Sequence, residues 1–391
     1  MATYAEIIKK RKKDWACPDL MESVNKVSGE KIPFSSPSLN YITYGGIPKI
    51  GLTQFYGFEG GGKSTSAMDL CKNALEVFAE DYNKEYQEIQ ANIAAGKKEY
   101  KVALSDLEDR GPKKVLYIDV EHSYNRKWAD TLGITSSVEV MQPPNVAGEE
   151  ILQTVMEIVE SGEMGLIILD SIPSLIPKTE LEKKIGERTV AALANMMTEF
   201  CRKVNPVLFR GKCALVLINQ QRENMDNPYK DRVPGGRAIA FYSMLTLSFK
   251  LGTPVDFLGN ELKLSAENPA GYEIDVYVKK QKTAPFDRKH GQYYLMAQSG
   301  LRVDFEFVNL AITKYEIIKK GGAWFTICDP KTKDPIEVDG NIVKINGLAK
   351  VYDYVQINTD YYNSLCAFIV DDINNNGLDT GEGDDGEEIP D

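Results

Sequence analysis

The chain has 391 residues, a formal net charge of −11 and 43% hydrophobic residues, a proportion typical of a folded globular protein. No apolar run is long enough to span a membrane and the N-terminus lacks an apolar signal core, so we expect a cytoplasmic protein. The six cysteines are scattered without a C-x-x-C pair and there are two histidines, which argues against a disulfide framework and a His-based metal cluster.

The N-terminal residues are basic. Residues 5–15 predict a short helix that carries the run Lys-Lys-Arg-Lys-Lys at residues 9–13. A solvated helix face is the favoured interpretation, and a basic arm that touches DNA or a neighbouring subunit is the alternative. Together with the polar linker that follows, residues 1–35 form a predicted segment for subunit contact.

A glycine-rich segment lies between a predicted strand at residues 52–56 and a predicted helix at 66–79, and it fits the Walker A pattern G-x-x-x-x-G-K-[ST]. Its residues are Gly57, Phe58, Glu59, Gly60, Gly61, Gly62, Lys63, Ser64 and Thr65. Glycines let backbone N–H groups surround a polyphosphate, and the start of the next helix attracts the anion. We predict that Lys63 bridges the β- and γ-phosphates and that Ser64 ligates Mg²⁺. The alternative is a glycine-rich turn that binds nothing.

Residues 82–112 form a predicted insertion. The segment 82–110 is rich in Lys and Glu, its apolar residues are irregularly spaced, and it ends at Gly111-Pro112. We predict a helix or helical hairpin on the surface. The sequence assigns no function to it.

Three apolar runs predict buried strands at residues 114–119, 165–170 and 214–219. Predicted helices at 151–161 and 191–204 separate them. This alternation predicts an α/β fold with a mainly parallel central sheet covered by helices on both faces. Because ligands bind beyond the carboxyl ends of such strands, the residues at those ends are site candidates.

Three polar residues follow these strands. Asp170 has the position of a Walker B carboxylate that holds Mg²⁺ through water, or it caps the strand end. Glu121 is placed to accept a proton from a water aligned on the γ-phosphate, or it is a surface acid. Gln220 is placed to bond the γ-phosphate or the attacking water and to report hydrolysis to the loop that follows, or it is a polar cap.

The second half of the chain begins with a polar loop at residues 221–236, and loops of this length are usually functional or disordered. Predicted strands follow at 245–250, 273–279 and 292–296, then a helix at 304–320. We predict a core at 36–320 and a small α+β appendage at 321–370.

The negative charge is concentrated at the C-terminal end. Residues 371–391 hold nine acidic side chains and no Lys or Arg, which leaves a net charge of −2 for the rest of the chain. The low apolar content of this segment predicts a disordered tail. One hypothesis is that this tail competes with DNA for a basic groove, an effect that salt would screen. The alternative is that the tail only keeps the protein in solution.

Seven motifs, in this order, resemble those of the bacterial RecA recombinases and favour a phage-encoded branch of that family. They are G-F-E-G-G-G-K-S-T, Y-I-D-V-E-H, I-I-L-D-S, I-N-Q-Q-R, G-G-R-A-I-A-F-Y, V-K-K-Q-K-T-A-P-F and G-G-A-W-F. The likeness covers residues 36–325. The N-terminal residues match weakly, and the 82–110 insertion has no counterpart.

The resemblance implies a RecA-like P-loop ATPase core with a small C-terminal α+β appendage. It implies a DNA-dependent ATPase that uses ATP and Mg²⁺ and forms a helical filament on single-stranded DNA. It also implies homologous pairing and strand exchange with duplex DNA in recombination and repair. Single-strand-binding and loading proteins are further implied partners, and a membrane is not.

The resemblance also assigns residues to the ATP site. Glu121 matches the family's catalytic glutamate. Asn125 and Trp128 match residues that contact adenine, with Asn in place of the usual Asp and Trp in place of Tyr. Lys280 and Lys282 match a pair that reaches ATP across a subunit interface, which implies that the filament, not the monomer, is the competent ATPase.

Two segments, 182–190 and 221–235, resemble the family's DNA-binding loops. Four residues match the family's DNA-contacting positions: Arg202, Arg222, Gly235 and Gly236. In such positions Arg pairs with phosphates and Gly lets the protein backbone approach the DNA closely. Val190 replaces a methionine that wedges between bases, and Asn195 replaces a DNA-contacting arginine.

Two other functions fit part of the pattern. A RecA-like hexameric helicase or motor shares the phosphate loop, Glu121 and Asp170, but it does not predict the Lys280 and Lys282 pair. The second alternative is a structural module, an accessory protein that binds DNA or a recombinase without hydrolysing ATP. The intact Glu121 argues against this function.

Overall fold

The computed structural model describes residue 6 and residues 9–11, 30–134, 136–184, 191–221 and 233–375. Most of the predicted basic helix lies outside these ranges, as do residues 185–190 and 222–232 of the two predicted DNA loops, which include Val190 and Arg222. The acidic segment beyond residue 375 also lies outside them. Within the described ranges, no helix combines the length and apolar character needed to cross a membrane.

The elements alternate along the chain as the sequence predicts. The strands are β1 (Lys31–Ile32), β2 (Ile47–Pro48), β3 (Gly51–Gly57), β4 (Lys114–Asp119), β5 (Val138–Met141), β6 (Met164–Asp170), β7 (Ala214–Gln220), β8 (Leu245–Val255), β9 (Gly271–Gln281), β10 (His290–Met296), β11 (Gly300–Leu301), β12 (Ile318–Gly321), β13 (Trp324–Ile327), β14 (Glu337–Val338), β15 (Asn341–Ile342) and β16 (Lys344–Asn346). The helices are α1 (Pro37–Thr43), α2 (Lys63–Ala94), α3 (Tyr100–Arg110), α4 (Arg126–Thr131), α5 (Gly148–Glu160), α6 (Lys178–Leu181), α7 (Ala192–Gly211), α8 (Ala238–Tyr242), α9 (Val303–Thr313), α10 (Leu348–Ile357) and α11 (Thr359–Asn375).

The central sheet has nine strands in the order β11-β10-β9-β8-β3-β7-β6-β4-β5. The six strands from β8 to β5 are parallel to one another, and β9, β10 and β11 continue the sheet in antiparallel fashion. The predicted mainly parallel sheet is therefore confirmed. Because each parallel strand must return through a crossover, helices cover its faces.

The two faces of the sheet bury separate layers of side chains. On β6, Leu166 and Ile168 pack into the layer formed with α1 and α2, where Leu70 is fully buried. The alternate residues Ile167 and Leu169 pack into the opposite layer, formed with α5 and α7. The strand is apolar throughout because both of its faces are covered, which is why it is recognisable in the sequence.

The phosphate-loop helix is longer than predicted. Helix α2 continues from Lys63 to Ala94, and α3 folds back along its outer half. The side chains of Ile89 and Leu107 are buried, and Arg110 pairs with Glu85 at 2.9 Å. The predicted helical hairpin is confirmed, and its first arm is continuous with the helix of the Walker A motif.

The predicted helix at residues 304–320 is wrong in its second half. Helix α9 ends at Thr313, and β12 pairs with β13 in a three-stranded sheet with β16. Ile318 is fully buried there while Lys319 and Lys320 are exposed. The pairing partner lies across a turn, so tertiary contacts override the local helical pattern. The predicted small α+β appendage is confirmed as β12–β16 with α10 and α11.

We predict that Glu306→Gln stabilises the fold at alkaline pH. Glu306 is 1% exposed and accepts hydrogen bonds from the Ser36 hydroxyl and the Ser38 N–H, but no cation pairs with it in the described part of the chain. Burial raises the pKa of Glu306 well above its usual value. The stability gained from protonated Glu306 is therefore lost as pH rises from about 4.3, the unfolded pKa, to the folded pKa.

We expect Glu306→Gln to raise the free energy of unfolding by about 1–3 kcal/mol at pH 8, with a smaller gain at pH 5. Thermal unfolding at the two pH values measures this. Glu337→Gln, at an exposed position, is the matched control and should change neither curve. Equal destabilisation by Glu306→Gln at both pH values would contradict the prediction.

Candidate nucleotide-binding and catalytic site

The Walker A loop connects β3 to α2 in a conformation that requires glycine at two positions. Gly57 has φ 152° and Gly62 has φ 79°. A Cβ atom on Gly57 would lie 2.0 Å from the carbonyl oxygen of Phe249, and one on Gly62 would lie 2.3 Å from the Tyr293 hydroxyl. The loop backbone thus lies directly against β8 and β10, and α2 begins at Lys63 with its N–H groups facing the loop.

Lys63 is held inside the loop. Its side chain is buried, and Nζ donates a hydrogen bond to the carbonyl oxygen of Phe58 at 2.7 Å. Burial lowers the pKa of Lys63, and the carboxylates of Asp170 and Glu121 oppose that shift. A buried ammonium that donates to a neutral carbonyl oxygen favours an anionic ligand at the mouth of the loop.

Asp170 ends β6 and is 1% exposed. The Tyr117 hydroxyl donates to its Oδ2 at 2.6 Å, whereas Oδ1 is buried without a hydrogen-bond partner in the described residues. Burial raises the pKa of Asp170, and the hydroxyls of Tyr117 and Ser64 lower it. An unpartnered carboxylate oxygen beside a serine hydroxyl is a donor set that fits Mg²⁺, which prefers oxygen ligands.

Glu121 and Gln220 are brought together by neighbouring elements. Gln220 Nε2 donates to Glu121 Oε1 at 3.1 Å, and the Ser171 hydroxyl donates to Glu121 Oε2 at 3.3 Å. Glu121 is exposed, so a water molecule can reach its carboxylate. These contacts fix the carboxylate at the edge of the sheet where the Walker A loop ends.

Asp119 positions Glu121, and the sequence reasoning missed it. Asp119 is fully buried at the end of β4, and its carboxylate accepts hydrogen bonds from the N–H groups of Ser123 and Tyr124 at 3.2 and 2.8 Å. The Gln142 amide donates to the same carboxylate at 2.8 Å. These bonds hold the turn that carries Glu121. The sequence feature that could have identified Asp119 is an acidic residue at the end of an apolar strand, the same feature that identified Asp170.

The two predicted adenine-contacting residues have different surroundings. Asn125 is the N-cap of α4, and its Oδ1 accepts the Trp128 N–H at 3.1 Å. The Trp128 indole N–H donates to the Thr65 hydroxyl at 3.3 Å. The structure thus places Trp128 beside the first turn of α2. The side-chain oxygen of Asn125 already accepts a hydrogen bond from the first turn of α4.

Lys280 and Lys282 are not brought to the Walker A loop of their own chain. Lys280 on β9 pairs with Thr246 on β8, and Thr246 pairs with Gln54 on β3. Gln54 lies three residues before Gly57, so Lys280 is offset from the start of the Walker A loop by about 10 Å along the strand direction. Its Nζ donates to the carbonyl oxygens that end α8, at 2.5 and 2.6 Å. Burial and the neighbouring Lys282 lower the pKa of Lys280 to about 8.

The end of the second predicted DNA loop contacts the start of α7, the helix that follows the first predicted loop. A Cβ atom on Gly236 would lie 3.3 Å from Ala194 at the start of α7, and one on Gly235 would lie 2.9 Å from Ile239. The Gln221 N–H donates to the carbonyl oxygen of Gly57 at 2.9 Å. Arg202 is exposed on α7, and Arg222 lies outside the described residues.

Comparison with known proteins identifies the family. A family model described as the RecA N-terminal domain matches residues 87–302, more than half of the chain. Protein RecA of Aquifex aeolicus is 30% identical over 318 residues, which cover 80% of this chain and 78% of that protein. Protein RecA of Thermus aquaticus is 29% identical over 77% of this chain and 76% of its own length. Protein RecA of Mycoplasma mycoides is 30% identical over 76% and 75%. With its nine-stranded sheet and Walker A loop, the chain belongs to the RecA family.

Proposed function

We propose that this chain is an ATP-dependent DNA recombinase. It polymerises on single-stranded DNA and catalyses homologous pairing and strand exchange with duplex DNA. The observation that carries the proposal is the 3.1 Å hydrogen bond between Glu121 and Gln220. This bond joins the candidate catalytic base to the residue directly before the second DNA loop, so hydrolysis and DNA contact share one structural connection.

Binding of ATP involves the Walker A loop from Gly57 to Thr65. The backbone N–H groups of the loop surround the polyphosphate, and Lys63 exchanges its bond with Phe58 for the β- and γ-phosphates. Ser64 and Asp170 are the residues that would hold Mg²⁺, which would neutralise phosphate charge when bound. Trp128 provides an aromatic surface for adenine next to Thr65.

In hydrolysis, Glu121 orients the attacking water and accepts its proton at the carboxylate. Ser171 and Gln220 hold that carboxylate in place, and Asp119 holds the turn behind it. A positioned base of this kind contributes a factor of about 10²–10⁴ to the rate. As the water oxygen bonds to the γ-phosphorus, the bond to the β-phosphate oxygen breaks and ADP leaves. Release of the γ-phosphate then removes the hydrogen-bonding partner that we infer for Gln220.

This change reaches DNA through a short path. Gln220 follows β7, and the next residue, Gln221, bonds the carbonyl oxygen of Gly57 in the Walker A loop. At the other end of the DNA loop, the Asn219 side chain donates to the carbonyl oxygen of Pro234 at 2.9 Å. The loop is therefore anchored at both ends to β7. We infer that Arg202, Arg222, Gly235 and Gly236 contact the DNA backbone.

The active assembly is a filament in this proposal. Lys280 and Lys282 lie away from their own Walker A loop, so they act on the ATP of an adjoining protomer. Their present partners are carbonyl groups at the end of α8, which a phosphate replaces more favourably. Nucleotide binding then strengthens subunit packing.

The first prediction concerns Lys63→Ala. Removal of the only ammonium inside the loop should abolish ATP-dependent binding of single-stranded DNA, because the polyphosphate loses its charge-assisted bonds. A filter-binding assay with and without ATP measures this. Lys331→Ala, at an exposed position outside the core, is the control and should bind as the unaltered protein does. Unchanged binding by Lys63→Ala would reject the site.

The second prediction separates binding from turnover. Glu121→Gln keeps the size of the side chain and can still bond Gln220, but it cannot accept a proton. We expect ATP-dependent DNA binding to remain and the steady-state ATPase rate to fall about 10²–10⁴-fold. Glu139→Gln, an exposed acid on β5, serves as the control. Normal hydrolysis by Glu121→Gln would show that another group is the base.

The third prediction tests catalysis across the interface. The Lys63→Ala protein and the Lys280→Ala/Lys282→Ala protein should each lack ATPase activity when alone. In a 1:1 mixture, about a quarter of the interfaces combine an intact loop with intact lysines, because protomers assemble at random. The mixture should therefore recover up to about a quarter of the activity. No recovery, with both proteins entering the same filaments, would place the lysines in a role within one chain.

A further inference from the structure

A cavity of about 500 Å³ lies between the first described residues of the core and the C-terminal helix. Lys31 and Tyr44 line one side, and Thr283 lines another, on the connection from β9 to β10. Ile373 and Asn374 of α11 complete the wall. The ATP site described above uses none of these residues.

Lys31 is a half-buried cation in this cavity, and the described residues give it no anionic partner. Its Nζ donates to the Thr283 hydroxyl at 2.7 Å, and no carboxylate pairs with it in the described part of the chain. Burial lowers the pKa of Lys31 to about 8. Lys49 is a useful contrast, because it is similarly enclosed but pairs with Asp81 at 2.6 Å and Glu30 at 3.7 Å. An ammonium that is partly removed from water and has no such partner favours an anion beside it.

We propose that the cavity is a docking site for the acidic C-terminal segment of the same chain, residues 376–391. A carboxylate of that segment pairs with Lys31, and the apolar residue next to it packs against the cavity wall. The segment holds seven acidic residues and no Lys or Arg, so its charge complements that of Lys31. The inference does not depend on the proposed recombinase activity.

Chain length allows this docking. Asn374 lines the cavity, and Leu378 and Asp379 follow four and five residues later. Five residues reach at most about 17 Å, and the segment starts from Asn374, which itself lines the cavity. Gly377 directly precedes this pair and permits the reversal of the chain. Leu378 can contact Phe34 and Phe307 while Asp379 reaches Lys31.

The test is zero-length carbodiimide cross-linking of the full chain, followed by peptide mass spectrometry. This reaction joins an amine to a carboxylate only when the two are in contact. We expect a cross-link between Lys31 and the 376–391 segment, with Asp379 as the main site. The cross-link should be lost in Lys31→Met and reduced in Asp379→Asn, but not in Asp391→Asn. The Lys49–Asp81 product reports on the reaction and on the fold of each variant.

Two further arms decide the source of the anion. In a 1:1 mixture of ¹⁵N-labelled and unlabelled protein, we expect the Lys31 cross-link within single chains. A product found only between differently labelled chains would assign the cavity to a second copy and overturn the proposal. Loss of the product in inorganic phosphate at constant ionic strength, with the Lys49–Asp81 product retained, would assign the cavity to free anions. Absence of the Lys31 product while Lys49–Asp81 forms would also overturn it.

Discussion

The parallel register of the central strands determines where every candidate catalytic group lies. Gly57 is level with Gln220 on the neighbouring strand, and Asp119 is level with Asp170. These four residues end β3, β7, β4 and β6, so their loops leave the sheet at one edge. A shift of one residue in either pairing would turn the whole strand to the opposite layer, which the two apolar layers prevent. The buried core thus fixes the distance between the Walker A loop and Glu121.

Burial in this site acts on charges of both signs. It lowers the pKa of Lys63 and raises that of Asp170, so burial disfavours the charged forms of both side chains. A phosphate beside Lys63 and a cation beside Asp170 would reverse both effects at once. Ligand binding therefore stabilises a fold that holds these groups without full partners. Lys31 also lacks an anionic partner among the described residues, because the other residues that line its cavity are neutral.

The sequence predicted the central strands well, because strands buried on both faces are continuous apolar runs. It also predicted that Glu121 and Gln220 would lie at the same edge of the sheet, since both follow parallel strands, but not that they would bond each other. The helix predicted over residues 318–320 was wrong, because these residues form one arm of a hairpin in which Ile318 pairs with Ile327 across the turn at Gly322. The sequence also did not show that Asn125 caps α4, because an Asn side chain can serve either as an adenine contact or as an N-cap.

Helix α2 links two regions that the sequence reasoning had treated separately. It begins at the phosphate loop with Lys63 and ends at Ala94 in the hairpin, a length of about 48 Å for a regular helix. Its first half is fixed by the core, where Leu70 and Phe78 are buried, whereas its second half contacts mainly α3. One continuous helix therefore joins the hairpin to the Walker A loop, although no candidate catalytic residue lies in the hairpin.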